Sequence, residues 1–574
     1  MLETIVKAVV LSSLHKVYPD YCPDSYGVES FSALRNEPLS FQFAYKLSSP
    51  KAHKCPFYIR VESELPVTAY SVGYVPVLHA EKLQDDEHRG PGLYPDMLIP
   101  KKVDAVIDDE QDFWCHFQFE RDEKNNLIAF NDCWQSIWFT VNEDSKTIAA
   151  GNYTVTLKLY SRIGNKFMGE NTVSVEIIDA KLPKQQLINT NWFHCDCLAD
   201  IYNVELFSDR FFEIMRSYVS LASKTGMNMI MLPAFTPPLD TPFGRERKTA
   251  QLVKVEVNDG EYSFDFSLMG KYINLCRECG IENFEHSHLF TQWGAKYAPK
   301  IMASVDGEYK RIFGWETDSG CREYADFLKC YLKALKVFLH EMNLDRHIMF
   351  HISDEPPKTL ISFYENAVSV VADELKEYVC SDALSDFDFY KKGYTKRPIA
   401  AVNSPDIDEF IANCDDYWVY YTCGELTDNS PNRTISVPSA RNRVLGLQMY
   451  VSGAKGFLHW GYNYYYGALS RGIFNPMINP CGYKQFAGAS YIVYPDITGE
   501  ALPSIRMKVF YEAIIDYGAL QLLEALTGRD AVLRFIEKNA GKVDYKYSPT
   551  NQELFEFRQK LNSEIKKLVT EEAL

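Results

Sequence analysis

Two acids stand side by side at Asp354 and Glu355, directly after the run Ile348-Met349-Phe350-His351-Ile352-Ser353 and directly before Pro356 and Pro357. The run is short and apolar, as a buried parallel strand is, and the prolines forbid both ladder pairing and helix continuation beyond it. The carboxyl groups therefore fall where a core strand runs out, the rim at which parallel α/β sheets bind their ligands. A carboxylic acid in such a place, its pKa raised by partial burial, suits the protonation of a glycosidic oxygen. Glu355 has the longer reach and is the expected proton donor. A second group must then stabilise positive charge at the sugar's first carbon. Adjacent carboxylates do not easily flank one bond from opposite faces, so the pair fits a substrate that brings its own nucleophile. A 2-acetamido sugar does so through its carbonyl oxygen, with Asp354 orienting the amide N–H and stabilising the oxazolinium that forms.

The elements that must hold this pair are legible as two changes of period. From residue 1 to about 183, short runs with strand-like alternation or β-rich composition, such as Phe41-Gln42-Phe43-Ala44-Tyr45, Phe113-Trp114-Cys115-His116-Phe117 and Ile137-Trp138-Phe139-Thr140-Val141, alternate with turn residues. They predict an N-terminal β-sandwich over 1–183. After the linker Lys181-Leu182-Pro183-Lys184, apolar strands alternate with helices. Strands are expected at Asn191–Cys195, Met229–Leu232, Ile281–Leu289, Ile348–Ser353, Tyr378–Cys380, Pro398–Val402, Tyr417–Tyr421 and Gly456–Trp460. Eight strands with the acid pair on the fourth predict a (β/α)8 TIM-type barrel over 186–500. Gly226 and Gly280 mark helix ends within it. A small, mainly helical region over 501–574 follows, with Thr550-Asn551-Gln552-Glu553 reading as a capping box for its last helix.

Composition narrows the partners. Lys+Arg 60 against Asp+Glu 77 gives a formal net charge of -17 with no basic cluster, which argues against nucleic acid and anionic membrane surfaces. No stretch approaches the roughly 20 apolar residues of a membrane span. Ile5–Leu14 carries Lys7 and lacks a small-residue cleavage site, so it reads as a first strand rather than a leader. The expected setting is cytoplasmic, with a secreted form that has lost its signal left open. The 14 Cys are scattered, and neither Cys276/Cys279 nor Cys195/Cys197, the latter placed on a strand, has the second half of a zinc site. No metal and no cofactor is expected. Oligomeric state is not specified by the sequence, and a homo-oligomer is compatible with it.

The Ile-Ser-Asp-Glu-Pro segment, Tyr94-Pro95-Asp96-Met97-Leu98-Ile99-Pro100 in the N-terminal part and Gly456-Phe457-Leu458-His459-Trp460-Gly461-Tyr462-Asn463 on the eighth strand resemble glycoside hydrolase family 123 and its close relatives. Pro503-Ser504-Ile505-Arg506, Tyr517-Gly518 and Leu523-Glu524 resemble the helical segment that ends such proteins. The resemblance implies an exo-acting β-N-acetylgalactosaminidase working by substrate assistance, with Glu355 as general acid/base and Asp354 as the acetamido-orienting residue. A glycan with a terminal β-linked N-acetylhexosamine is the expected substrate.

Around the pair, Trp192, His194, His286, His288 and Trp293 fall near predicted C-terminal strand ends, where aromatic faces stack on a pyranose. Tyr421 is expected to hydrogen-bond the acetamido carbonyl, and Trp460, Asn463 and Tyr464 to close the pocket. Glu425 supports a rival reading, an ordinary retaining β-glycosidase with Glu355 as acid/base and Glu425 as nucleophile, which requires the two carboxyls about 5–5.5 Å apart. A non-catalytic carbohydrate-binding protein on the same scaffold is the alternative outside enzyme chemistry.

Overall fold

The computed structural model describes residues 5–48, 54–78, 90–101, 127–130, 132–161, 164–422, 429–482 and 486–572. The expected strand Phe113–Phe117 lies outside them. Two five-stranded sheets form the N-terminal part. Alternation decides what each face buries. Along Leu39–Ser48, the residues Phe41, Phe43, Tyr45 and Leu47 enter a core shared with Phe31, Phe57, Ile59, Leu157 and Val175 of the other sheet. The opposite face is also covered: Trp138, Tyr70 and Leu98 pack on Ile505 and Val509 of the helix Ile505–Thr527.

Residues 188 to 459 contribute nine short strands to one curled parallel sheet. Its order is Val379–Cys380, Ile348–Phe350, Asn283–His286, Met229–Leu232, Ile188–Asn191, Gly456–His459, Trp418–Tyr420, Ile399–Ala401, Ala383–Leu384. The edge strands at the two ends of that order are separated in sequence by Ser381 and Asp382 alone. Trp192, Met229, Met231, Met349, Ile399, Trp418, Tyr420 and Leu458 fill the concave side. Residues of opposite parity, such as Ile230, Phe284, Phe350, Val419 and Phe457, pack outward beneath the helices. The first strand ends at Asn191, and Cys195 opens the helix Cys195–Ile201 instead of lying on a strand with Cys197. Gly226 and Gly280 do close their helices, both at positive φ.

Charges buried between the parts are paired. Arg558 reaches Glu37 at 2.7 Å and Asp516 at 2.6 Å, while Arg443 joins Asp516 and Glu512, each at 2.7 Å. Ser13 donates to Glu512 at 2.8 Å. Removing one member of such a network leaves an uncompensated charge in the interior, which costs about 3–5 kcal/mol. The final helix, Asn551–Glu572, begins with the predicted capping box: Glu553 N–H donates to Thr550 Oγ1 at 3.2 Å, and Thr550 N–H donates back to Glu553 at 2.9 Å.

Candidate active site

Asp354 and Glu355 sit just beyond the strand Ile348–Phe350, partly buried at the rim of the curled sheet. Glu355 holds a left-handed backbone, φ 43°, directly before Pro356. Such a conformation costs a non-glycine residue about 1–2 kcal/mol and persists only where the surroundings impose it. Here they do. Trp293 N–H donates to Asp354 O at 2.7 Å, and Ser353 Oγ donates to Thr291 O at 2.8 Å while accepting from Ala295 N–H at 3.1 Å. From the other side, the Asp382 carboxylate accepts the N–H groups of Ile352 and Ser353 at 3.0 and 3.2 Å. The turn that presents the acids is thus tied to its neighbours on both sides.

Glu355 Oε1 accepts a 2.7 Å hydrogen bond from the Tyr420 hydroxyl. Burial raises the Glu355 pKa, and this hydrogen bond opposes the rise. Asp354 is raised well above the carboxylate range by burial first and then by its neighbour Glu355, with His351 pulling the other way. Below the pair lies a fully buried polar network. His351 Nε2 stands 2.8 Å from Glu285 and its Nδ1 3.4 Å from Asp382. Trp192 Nε1 donates to Glu285 at 3.1 Å, Thr190 donates to the same carboxylate, and Tyr364 donates to Asp382 at 2.6 Å. Burial pulls the His351 pKa down, but the carboxylates of Asp382 and Glu285 outweigh it and hold it up at about 10.

Of the aromatic and polar residues expected around the pair, the structure brings some together and sends others elsewhere. Trp192 lies on the concave side, its ring edge-on to His288, and His288 stacks on His351 with 4.6 Å between centroids. Trp293 is 43% exposed and follows the acid-pair turn through its backbone bond. Trp460 packs beside Tyr464, whose hydroxyl donates to Asp240 at 2.7 Å. His194 is consumed by structure: Nε2 meets Trp460 O at 2.8 Å and Nδ1 meets Arg247, itself paired with Asp196 at 2.6 Å. Burial, with Arg247 beside it, lowers the His194 pKa to about 3. Asn463 clamps the His194 backbone, accepting from its N–H at 2.8 Å and donating to its carbonyl at 3.2 Å. His286 points outward to Tyr331, 2.7 Å away, and burial lowers its pKa to about 4. Tyr421 packs outward against Phe457 and His459, so the tyrosine that reaches Glu355 is its predecessor, Tyr420. Glu425 lies outside the described residues.

Glu285, His351, Asp382 and Tyr420 were not among the expected site residues. A signal for the first existed, since an acid inside the strand Asn283–His286 has to find a partner. Among the described residues, His288, His351 and Asp382 are the one group whose candidate metal-ligating atoms lie within 4.8 Å of one another. Asp382 already accepts two N–H groups and a hydroxyl, and His351 Nε2 faces Glu285, whereas both ring nitrogens of His288 and Nδ1 of His351 are buried without a hydrogen-bond partner.

A strand-end pair of acids, one bound to an inward-facing tyrosine, is suited to the cleavage of glycosidic bonds, and comparison with known proteins supplies the class. Residues 192–523, more than half of the chain, match the family described as "Glycoside hydrolase 123, catalytic domain". The chain belongs to glycoside hydrolase family 123 and carries its catalytic domain. Among solved structures, a family 123 glycoside hydrolase from Clostridium perfringens, studied for glycolipid glycan hydrolysis, superposes with a TM-score of 0.70. That match has 13% sequence identity and covers 99% of this chain and 98% of the other, so it speaks for a shared fold. β-Glucuronidase from Ruminococcus gnavus matches with a TM-score of 0.31 at 8% identity, over 89% of this chain and 68% of the other, too distant to support inference. No curated protein matches the sequence. Among the described residues no helix is long and apolar enough to cross a membrane.

Proposed function

We propose that this glycoside hydrolase removes terminal β-linked N-acetylhexosamine, N-acetylgalactosamine in the first place, from the non-reducing ends of glycans, by a retaining, substrate-assisted route. The observation that carries the reading is the adjacency of Asp354 and Glu355 at one strand end, with the Tyr420 hydroxyl on Glu355. Asp354 accepts the acetamido N–H, and the acetamido carbonyl oxygen attacks the anomeric carbon as the glycosidic bond breaks. Glu355 gives its proton to the departing oxygen, then takes one from the water that opens the oxazolinium. Tyr420, not the Tyr421 that the sequence assigned to the acetamido group, is the tyrosine at the pair, and its hydroxyl serves Glu355. The Clostridium perfringens enzyme's action on glycolipid glycans favours a glycoconjugate substrate.

We read the curled parallel sheet as a (β/α)8 barrel over 186–500 whose fifth strand is interrupted at Ser381-Asp382, between a sandwich over 1–183 and helices over 501–574. Hydrolysis of aryl N-acetylgalactosaminide and N-acetylglucosaminide by wild type, Asp354→Asn and Glu355→Gln tests the mechanism. Both substitutions are expected to cost orders of magnitude in turnover, with a thiazoline mimic of the oxazolinium inhibiting wild type. A near-normal Asp354→Asn enzyme, or indifference to the thiazoline, refutes substrate assistance and favours a nucleophile from the protein. A wild type that binds sugar and hydrolyses no aryl glycoside refutes the enzyme reading.

A further inference from the structure

His288, His351 and Asp382 meet beneath the acid pair, each from the end of a different strand. His288 follows Asn283–His286, His351 directly follows Ile348–Phe350, and Asp382 stands between Val379–Cys380 and Ala383–Leu384. All three side chains are buried. Hydrogen bonding accounts for the outer side of this group and not for its centre. His351 Nε2 faces Glu285 at 2.8 Å, and Glu285 also accepts from Trp192 and Thr190. With the Nε2 proton given to that carboxylate, Nδ1 of a neutral ring carries a lone pair, and it faces Asp382 Oδ1 at 3.4 Å. Asp382 is an acceptor too, taking the N–H groups of Ile352 and Ser353 and the Tyr364 hydroxyl. Two acceptors therefore face each other. Beside them His288 stacks on His351, with both of its ring nitrogens buried and without a partner.

A proton on His351 Nδ1 relieves the first contact and leaves His288 as it was. It also sets two buried carboxylates against one imidazolium, since among the described residues neither Glu285 nor Asp382 pairs with a lysine or arginine. A divalent ion answers all three atoms and balances both carboxylates with the histidines neutral. The spacing suits it: bonds of about 2.1 Å at the tetrahedral angle set ligand atoms about 3.4 Å apart, the separation of His351 Nδ1 from Asp382 Oδ1. The candidate ligand atoms all lie within 4.8 Å of one another, and the His288 ring, held by no hydrogen bond, has only to turn inward to close the set. The bond to Glu285 completes the pattern, because a ligating histidine commonly donates its other N–H to a carboxylate that fixes its tautomer. Two imidazoles and a carboxylate are a donor set for zinc and its first-row neighbours. We propose that His288, His351 Nδ1 and Asp382 Oδ1 form a site for one divalent first-row cation, zinc in the first place, with Glu285 holding His351 from behind. Spacing along the chain predicts no such site, because the ligands come from three strand ends and not from one helix face. The ion fastens those ends together where Asp382 already holds the backbone of Ile352 and Ser353, directly ahead of the acids. The inference stands apart from the reading of the acid pair, since ion uptake is measured without any substrate.

The test uses the full chain, stripped with a chelator and titrated with zinc alone. Wild type is expected to take up one zinc per chain by calorimetry, with a rise in melting temperature. His288→Gln should lose that uptake, and Glu285→Gln, which keeps the three ligands, should bind zinc about 10–100-fold more weakly. Cobalt in place of zinc should show the visible bands of a four-coordinate nitrogen and oxygen site, with no thiolate charge-transfer band. No uptake by wild type overturns the proposal, and so does uptake that His288→Gln leaves unchanged, which marks an adventitious ion only. A thiolate band assigns the ion to the cysteines and overturns it as well, and the cobalt spectrum decides the matter alone if the variants do not fold. A wild type that takes no zinc, but whose His288 nitrogen signals move on adding N-acetylgalactosamine, makes the sugar the missing partner and refutes the metal.

Discussion

Replacing Tyr420 with Phe removes one hydroxyl and leaves a ring of nearly the same shape on the concave side of the sheet, where Tyr420 is 3% exposed. The lost contacts are the 2.7 Å hydrogen bond to Glu355 Oε1 and a weaker one, 3.3 Å, with Ser385 Oγ. A hydrogen bond to an ionised group is worth about 1.5–3 kcal/mol, and about 1.36 kcal/mol corresponds to one pKa unit. The sign follows from which form is favoured. The hydroxyl stabilises the Glu355 carboxylate, so its removal makes the carboxylate harder to form and raises the pKa by about 1–2 units. In the proposed role of proton donor, Glu355 then stays protonated to higher pH, and the alkaline limb of kcat/KM moves up by that amount. The assay is the pH dependence of aryl-glycoside hydrolysis with two leaving groups, one acidic and one weakly acidic. The weakly acidic leaving group, which depends most on the proton, shows the displaced limb most clearly. An alkaline limb that stays in place or moves down would falsify the role of Tyr420 as the hydroxyl that tunes the acid.

Two further outcomes are expected. Trp293→Ala keeps the backbone bond to Asp354 and removes a ring that is 43% exposed; KM for an extended glycan should rise roughly tenfold, about 1.4 kcal/mol, with the melting temperature unmoved, and an unchanged KM would take Trp293 off the substrate path. Gly446→Ala places a methyl group 1.9 Å from the Ala513 carbonyl oxygen, where the helix Leu445–Ser452 meets Ile505–Thr527; a loss of at least about 1–3 kcal/mol is expected by calorimetry, and an unaltered Tm would contradict that packing.

The acid pair was legible because chemistry and punctuation coincide: an apolar run, two acids, two prolines. Tyr420 was not, for a physical reason. In Tyr417-Trp418-Val419-Tyr420-Tyr421 every position is apolar or aromatic, so alternation cannot say which face is which, and a shift of one residue exchanges the inward and outward sets. The interrupted edge at Ser381-Asp382 was hidden in the same way, since its two flanks are strands of two residues each and Asp382 reads locally as a turn acid. Cys195 and Cys197 were placed on a strand because Asn191–Cys195 is apolar enough to be one; the helix at Cys195–Ile201 follows from tertiary docking rather than local pattern. His194 and Asn463 have the composition of a sugar site, and only the positions of Arg247 and the His194 backbone show them spent on holding loops together.

The pairing of Glu37 with Arg558 sets a condition on how the protein is made. The two residues are 521 positions apart, so a nascent chain presents Glu37 long before its partner exists. At about 5–20 residues per second the interval is on the order of half a minute to two minutes. Until the last helix arrives, the seat between the N-terminal sheets and Asp516 lacks the cation that completes it. Ribosome-bound chains stopped short of that helix therefore hold a half-built junction, which closes only once Asn551–Glu572 has emerged.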